Sequence, residues 1–140
     1  MIIDKQLLID KAMEARKMSY SPYSHFQVGA AILTDSGKIY TGVNIENASL
    51  GATICAERTA AVKAVSEGEK HFAAIAVAGS PENTPDEEFE YSYPCGICRQ
   101  FLREFSPLDM PVYIKGPGDK VLETTLEGLL PYSFGPENLH

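Results

Sequence analysis

All three cysteines of the chain fall in two short motifs, Cys55-Ala56-Glu57 and Pro94-Cys95-Gly96-Ile97-Cys98. Zinc in a structural role is held by four protein ligands, whereas a hydrolytic zinc keeps one position open to water. Three thiolates stop one ligand short of a closed site, so the pattern reads as a catalytic zinc centre. Glu57, two residues past the first cysteine, is near enough to reach such a water without itself binding the metal, and a carboxylate there can move protons. Taken alone, Cys95-x-x-Cys98 also fits a redox pair or half of a structural zinc site. A closed site would need a histidine, with His25 the one plausible choice because His71 lies past the first helix and His140 is terminal.

Both motifs open predicted helices. From Cys55 to Glu67 the chain is rich in good helix formers, with Ala60, Ala61, Ala64 and Val65 on one stripe and Gly68 as the stop. A second helix is predicted from about Cys95 to Phe105, with Pro94 at its start. Unpaired N–H groups and the positive dipole end stabilise thiolates at such positions. The spacing of three between Cys95 and Cys98 puts both on one face, so two helix ends need only meet to share one metal. Three thiolates leave that centre with a net negative charge, which blunts the metal as an acid. Arg58, three residues after Cys55, is the candidate donor to the sulfurs, and Gln100 from the facing helix is a second. The alternative for Arg58 is an exposed surface charge.

The rest of the chain supplies the frame. Asp4 is a plausible N-cap for an amphipathic helix carrying Leu7, Leu8, Ala12, Ala15 and Met18 and ending near Ser19. Two apolar runs, 28–33 and 38–43, flank Asp35-Ser36-Gly37 and predict a β-hairpin. Phe72 to Ala78 reads as a buried strand, and Ser80 to Tyr93, with its prolines and acidic residues, as a solvated loop. A strand at 112–115, a turn at 116–119, a strand near 121–124 and a helical turn at 126–130 follow. Helices alternating with strands give an α/β sandwich of about five strands, in one domain spanning 1–140, a length that one core serves.

The formal charge of −7 sets net repulsion against a polyanion. Lysines and arginines are scattered rather than striped, which favours a free small molecule over a nucleic-acid strand as substrate. The first residues lack a signal-peptide pattern and no apolar run approaches membrane-spanning length. A soluble, cytoplasmic protein is expected, and clustered thiols in a reducing compartment suit a metal.

Several blocks now combine: 22–31 (Pro-Tyr-Ser-His-Phe-Gln-Val-Gly-Ala-Ala), Asn44-Ile45-Glu46-Asn47-Ala48, Cys55-Ala56-Glu57-Arg58-Thr59-Ala60, Pro94-Cys95-Gly96-Ile97-Cys98-Arg99-Gln100 and Leu129-Leu130-Pro131. Together, in order over nearly the whole chain, they resemble the small homotetrameric cytidine deaminases. The resemblance implies a three-layer α/β/α sandwich with a mixed sheet, one Zn²⁺ per subunit on Cys55, Cys95 and Cys98, and Glu57 as the proton carrier for attack of activated water on C4 of the pyrimidine. Cytidine, and 2′-deoxycytidine, would yield uridine or deoxyuridine and ammonia in pyrimidine salvage.

The same resemblance implies that Asn44 and Glu46 bind ribose hydroxyls, that Phe26 stacks on the base, that the Ala56 backbone hydrogen-bonds it, and that Phe134 stands near the substrate close to a subunit boundary. Each has a plainer alternative: turn capping for Asn44 and Glu46, core packing for Phe26, and packing within its own domain for Phe134. Leu50 departs from the pattern, since many relatives carry an aromatic near this point. The acidic loop from Glu82 to Glu90 is longer than the usual connection, with a solvated surface loop as the default reading. Competing functions are deamination of a cytosine-containing antibiotic of the blasticidin-S type, polynucleotide editing, which the acidic balance disfavours, and a zinc-stapled binding module without turnover.

Overall fold

The computed structural model describes residues 1–139. Helix α1 spans Lys5–Arg16, and its N-cap is Asp4, whose carboxylate accepts from the Leu7 amide at 3.0 Å. It closes at Arg16 rather than near Ser19: Met18 and Ser19 bond back in tighter turns, and the Tyr20 amide leaves the helix for the Asn44 carbonyl. Strands β1 (Phe26–Thr34) and β2 (Ile39–Val43) form the expected hairpin, with Gly37 at a φ of 89° in the turn. Then come α2 (Ala56–Ser66), β3 (Phe72–Pro81), α3 (Gly96–Arg103), β4 (Pro111–Lys115), β5 (Val121–Thr125) and the short α4 (Leu126–Leu129).

The strands make one sheet in the order β2-β1-β3-β4-β5. It is mixed, because β3 and β4 run parallel while the other pairs are antiparallel. A parallel pair requires a crossover, and here that connection carries α3 across one face. Strand alternation then sorts the core. Ala30, Ile32, Ile75, Val77, Val112 and Ile114 pack with α2 and with Leu102 of α3. Ala31, Leu33, Ala74, Ala76 and Tyr113 face Leu8, Ile9 and Ala12 of α1. The result is the expected three-layer α/β/α sandwich.

Two glycines allow the helices to lie this close. A Cβ on Gly42 would stand 2.3 Å from the Ala60 nitrogen in α2, and one on Gly29 would stand 2.0 Å from the Ala12 carbonyl in α1. Each helix therefore rests directly on strand backbone, and α2 is fixed in height above the sheet at the turn that follows Cys55.

The segment after β3 corrects the sequence reading. Its tip is exposed, but Phe89 is buried, with the Arg16 guanidinium 4.8 Å and the Lys115 ammonium 5.1 Å from its ring centroid. Lys115 is itself buried, pairs with Asp86 at 3.0 Å and donates to the carbonyls of Gly116 and Gly118. The acidic connection is thus anchored to the sheet at its middle, rather than solvated along its length.

Candidate metal centre

Cys55 and Cys95 are the N-cap residues of α2 and α3, both in extended backbone conformation. The Thr59 and Arg99 amides donate back to their carbonyls at 3.0 Å, so each helix begins at its cysteine. The Sγ atoms of Cys55 and Cys95 are 3.7 Å apart and those of Cys95 and Cys98 3.4 Å, with all three sulfurs within 4.8 Å of one another. Tetrahedral thiolates at a Zn–S length of about 2.3 Å stand roughly 3.8 Å apart. The donor set fits the ion in number, chemistry and spacing.

Charge is distributed unevenly over the sulfurs. Hydrogen bonding from Cys98 pulls the Cys55 thiol well below its ordinary pKa, with Arg58 and Cys95 adding to the effect against the opposing influence of burial. Cys98 is pushed up by that same bond to Cys55 and by burial. A divalent cation displaces thiol protons.

Glu57 lies in the first turn of α2, only 4% exposed. Burial pushes its carboxyl up to about 7, the neighbouring Cys55 charge adds to the rise, and its own backbone N–H and Arg58 act against it. A carboxyl poised near neutrality both accepts and returns a proton readily. Neither Glu57 nor His25 belongs to the group of convergent ligand atoms. His25, at a φ of 58°, sets its Nδ1 3.5 Å from Glu82 instead, so the closed four-ligand alternative loses its candidate histidine. His140 lies outside the described residues.

Arg58 sets its Nη2 3.7 Å from Cys55 Sγ, while its buried Nε has no partner among the described residues. Gln100 does not reach the sulfurs. Its amide donates to the Phe134 carbonyl at 2.9 Å, because two residues past Cys98 the α-helical rotation of about 100° per residue carries it to the opposite side of α3.

Asn44 and Glu46 follow β2 on the segment leading to α2, and both carry internal hydrogen bonds. The Asn44 amide donates to the Phe26 carbonyl at 2.8 Å and accepts from the Val28 amide at 3.0 Å and from the Ser19 hydroxyl. Glu46 accepts from the amides of Tyr23 at 2.9 Å and Ser24 at 3.1 Å, and from the Ser24 hydroxyl. The Ser24 hydroxyl is the chief reason its carboxyl sits below the usual range. Together they fix the 20–25 loop and the first residue of β1, Phe26, which is half-buried. Ala56 is buried at the first helical position of α2, where backbone N–H groups have no helical acceptor.

Sequence reasoning missed two arginines on α3. Arg99 donates to the Pro94 carbonyl at 2.7 Å and to the Leu129 carbonyl at 2.8 Å. Arg103, buried, donates to the Ser133 hydroxyl at 2.8 Å and pairs with Glu137. The contacts to Leu129, Ser133 and Glu137 reach about thirty residues along the chain and follow no local spacing rule.

Residues 3–114 match the family model described as the cytidine and deoxycytidylate deaminase zinc-binding region. The chain belongs to this deaminase family. It is 44% identical over 138 residues to a cytidine deaminase of Halalkalibacterium halodurans, covering 99% of both chains. It also superposes on the crystal structure of a cytidine deaminase from Burkholderia pseudomallei with a TM-score of 0.84, at 40% identity and covering 94% of this chain and 100% of that one. A blasticidin-S deaminase of Bacillus cereus is more distant, at 37% over 128 residues, 91% of this chain and 89% of its own. For a zinc-binding deaminase family member, the three gathered cysteines are the candidate metal-binding group, and zinc is the cofactor.

Proposed function

We propose that the chain, as one catalytic domain over residues 1–140, hydrolyses cytidine and 2′-deoxycytidine to the corresponding uridine and ammonia. The observation that carries this reading is the convergence of Cys55, Cys95 and Cys98 at two helix starts beside the buried, neutral-titrating Glu57. Bound zinc supplies the Lewis acidity that makes a water nucleophilic near neutral pH.

With zinc held by Cys55, Cys95 and Cys98, Glu57 would take a proton from the attacking water as its oxygen bonds to C4 of the ring, and would deliver it to N3. The second proton passes through Glu57 to the exocyclic nitrogen as the C4–N bond breaks, and ammonia leaves. Arg58 donates to the Cys55 sulfur and tempers the negative charge of three thiolates. The Ala56 backbone addresses the base and Phe26 packs against it. Asn44 and Glu46 hold the sugar hydroxyls while keeping the 20–25 loop in place. Phe134 borders the bound nucleoside, and Gln100 supports it through the backbone contact.

Cytidine is favoured over a blasticidin-type antibiotic by the higher identity to cytidine deaminases. Ammonia release from each compound, with and without a strong zinc chelator, tests the choice. Chelator-sensitive release from cytidine is expected. Release from the antibiotic alone, or from neither, overturns the reading.

The protein acts in pyrimidine salvage in the cytoplasm as a homotetramer in this proposal. No described helix is long and apolar enough to cross a membrane. Exposed Tyr20, Tyr23, Ile45 and Leu50 near the site offer apolar surface to a partner subunit. Light scattering checks the assembly.

A further inference from the structure

The chain beyond β5 is strapped to the helix that carries two of the three sulfurs. Arg99 holds the Leu129 carbonyl, Gln100 holds the Phe134 carbonyl at 2.9 Å, and Arg103 donates from Nε to the Ser133 hydroxyl at 2.8 Å while pairing with Glu137. Arg103 is the centre of this contact. It is 6% exposed, and Gly135 lies so close that a Cβ there would stand 2.4 Å from its guanidinium carbon.

Three consecutive residues, 133 to 135, are therefore fixed on α3 by side chain, carbonyl and close packing. The side chain in their middle, Phe134, nevertheless remains 57% exposed. An exposed aromatic on an immobilised backbone has lost its ordering entropy before any ligand arrives, which is the condition for tight contact with a flat apolar ring. The strap ties the backbone that carries this aromatic to α3, the helix that also bears Cys95 and Cys98 at its start.

We propose that Arg103 is a positioning residue for nucleoside binding: by clamping Ser133, Gly135 and Glu137 onto α3, it sets Phe134 where it packs against the bound nucleoside. This rests on the deaminase reading above and on Phe134 bordering the nucleoside there. A merely structural staple would affect melting temperature alone, whereas a positioning clamp also changes affinity.

The test compares Arg103→Ala, Arg103→Lys, Gly135→Ala and Phe134→Ala, together with the Arg103→Ala/Phe134→Ala double variant. Readouts are zinc content, melting temperature, kcat and KM for cytidine, and the Kd of the product uridine by calorimetry. Arg103→Ala is expected to raise KM and the uridine Kd about tenfold, with kcat within roughly twofold and zinc retained. Arg103→Lys, which keeps the charge but loses the planar fork, should fall between.

The double variant should bind no worse than Phe134→Ala alone, because the clamp acts through that ring. Gly135→Ala keeps every hydrogen-bonding group and displaces the strap, so it carries the test if Arg103→Ala does not fold. Unchanged KM and uridine Kd in Arg103→Ala or Gly135→Ala, or effects of Arg103→Ala and Phe134→Ala that multiply, overturn the proposal while leaving the deaminase reading intact. A wild-type protein that neither deaminates cytidine nor binds uridine overturns both.

Discussion

Arg58 stands one helical turn beyond Cys55, and its Nη2 lies 3.7 Å from that residue's sulfur. The guanidinium is a cation set against a thiol whose pKa is held well below its ordinary value. Hydrogen bonds from outside the ligand set tune the metal without holding it. Arg58→Gln should therefore lower kcat by about 10–100-fold and leave zinc bound. Steady-state kinetics beside metal analysis decide the matter, and unchanged turnover removes Arg58 from the mechanism.

Glu57 is buried, and burial pushes its carboxyl up to about 7, the range that suits a proton carrier near neutral pH. Glu57→Gln keeps the shape and removes the proton transfer, so zinc content and circular dichroism should match the wild type. Ammonia release should fall about 10²–10⁴-fold. A variant of undiminished activity would exclude Glu57 as the shuttle, and a wild type with no activity to lose would favour a binding module.

The Glu46 carboxylate gathers the Tyr23 and Ser24 amides and the Ser24 hydroxyl. Its folded-state pKa is depressed below the ordinary 4.5, so its contribution to holding the loop is fully present above that ordinary value. It is lost as pH falls through the lower folded-state value. Amide exchange at Ser24, compared between wild type and Glu46→Gln and corrected for intrinsic rates, should show this acid transition only in the wild type. Glu46→Ala should chiefly raise KM for cytidine, by about tenfold for one lost sugar contact, with metal content unchanged.

Gly42 and Gly37 make a matched pair of substitutions. A Cβ on Gly42 meets the backbone of α2 at Ala60 and Ala56, whereas one on Gly37 meets nothing within 4 Å and suffers only from its φ of 89°. Gly42→Ala should cost about 1–3 kcal/mol by overpacking and weaken zinc retention, because α2 moves with Cys55 on its end. Gly37→Ala should cost about 1 kcal/mol with zinc unaffected. Denaturant melts and competition with a chromogenic chelator separate the two effects.

Much of the frame was legible because it rests on local rules. Asp4 caps α1 as its type predicts, Gly37 turns the hairpin, and the cysteine motifs do open helices. The metal centre was legible for the same reason: its chemistry needs few residue types at short spacing. What escaped was long-range pairing of cations with backbone and rings. Nothing local announces that Arg16 and Lys115 close over Phe89, or that Arg103 grips a segment some thirty residues onward. Gln100 shows the converse: it lies on the facing helix beside Cys98 in sequence, but helical rotation turns its amide to Phe134 instead of the sulfurs.

The 40-residue gap between Cys55 and Cys95 has a consequence for biosynthesis. A nascent polypeptide that has emerged through α2 but not α3 offers a solitary thiolate, a poor competitor against cellular chelators. Full affinity arrives only when the parallel crossover from β3 to β4 closes and brings the second helix start alongside the first. Zinc affinity is in this way coupled to completion of the tertiary structure.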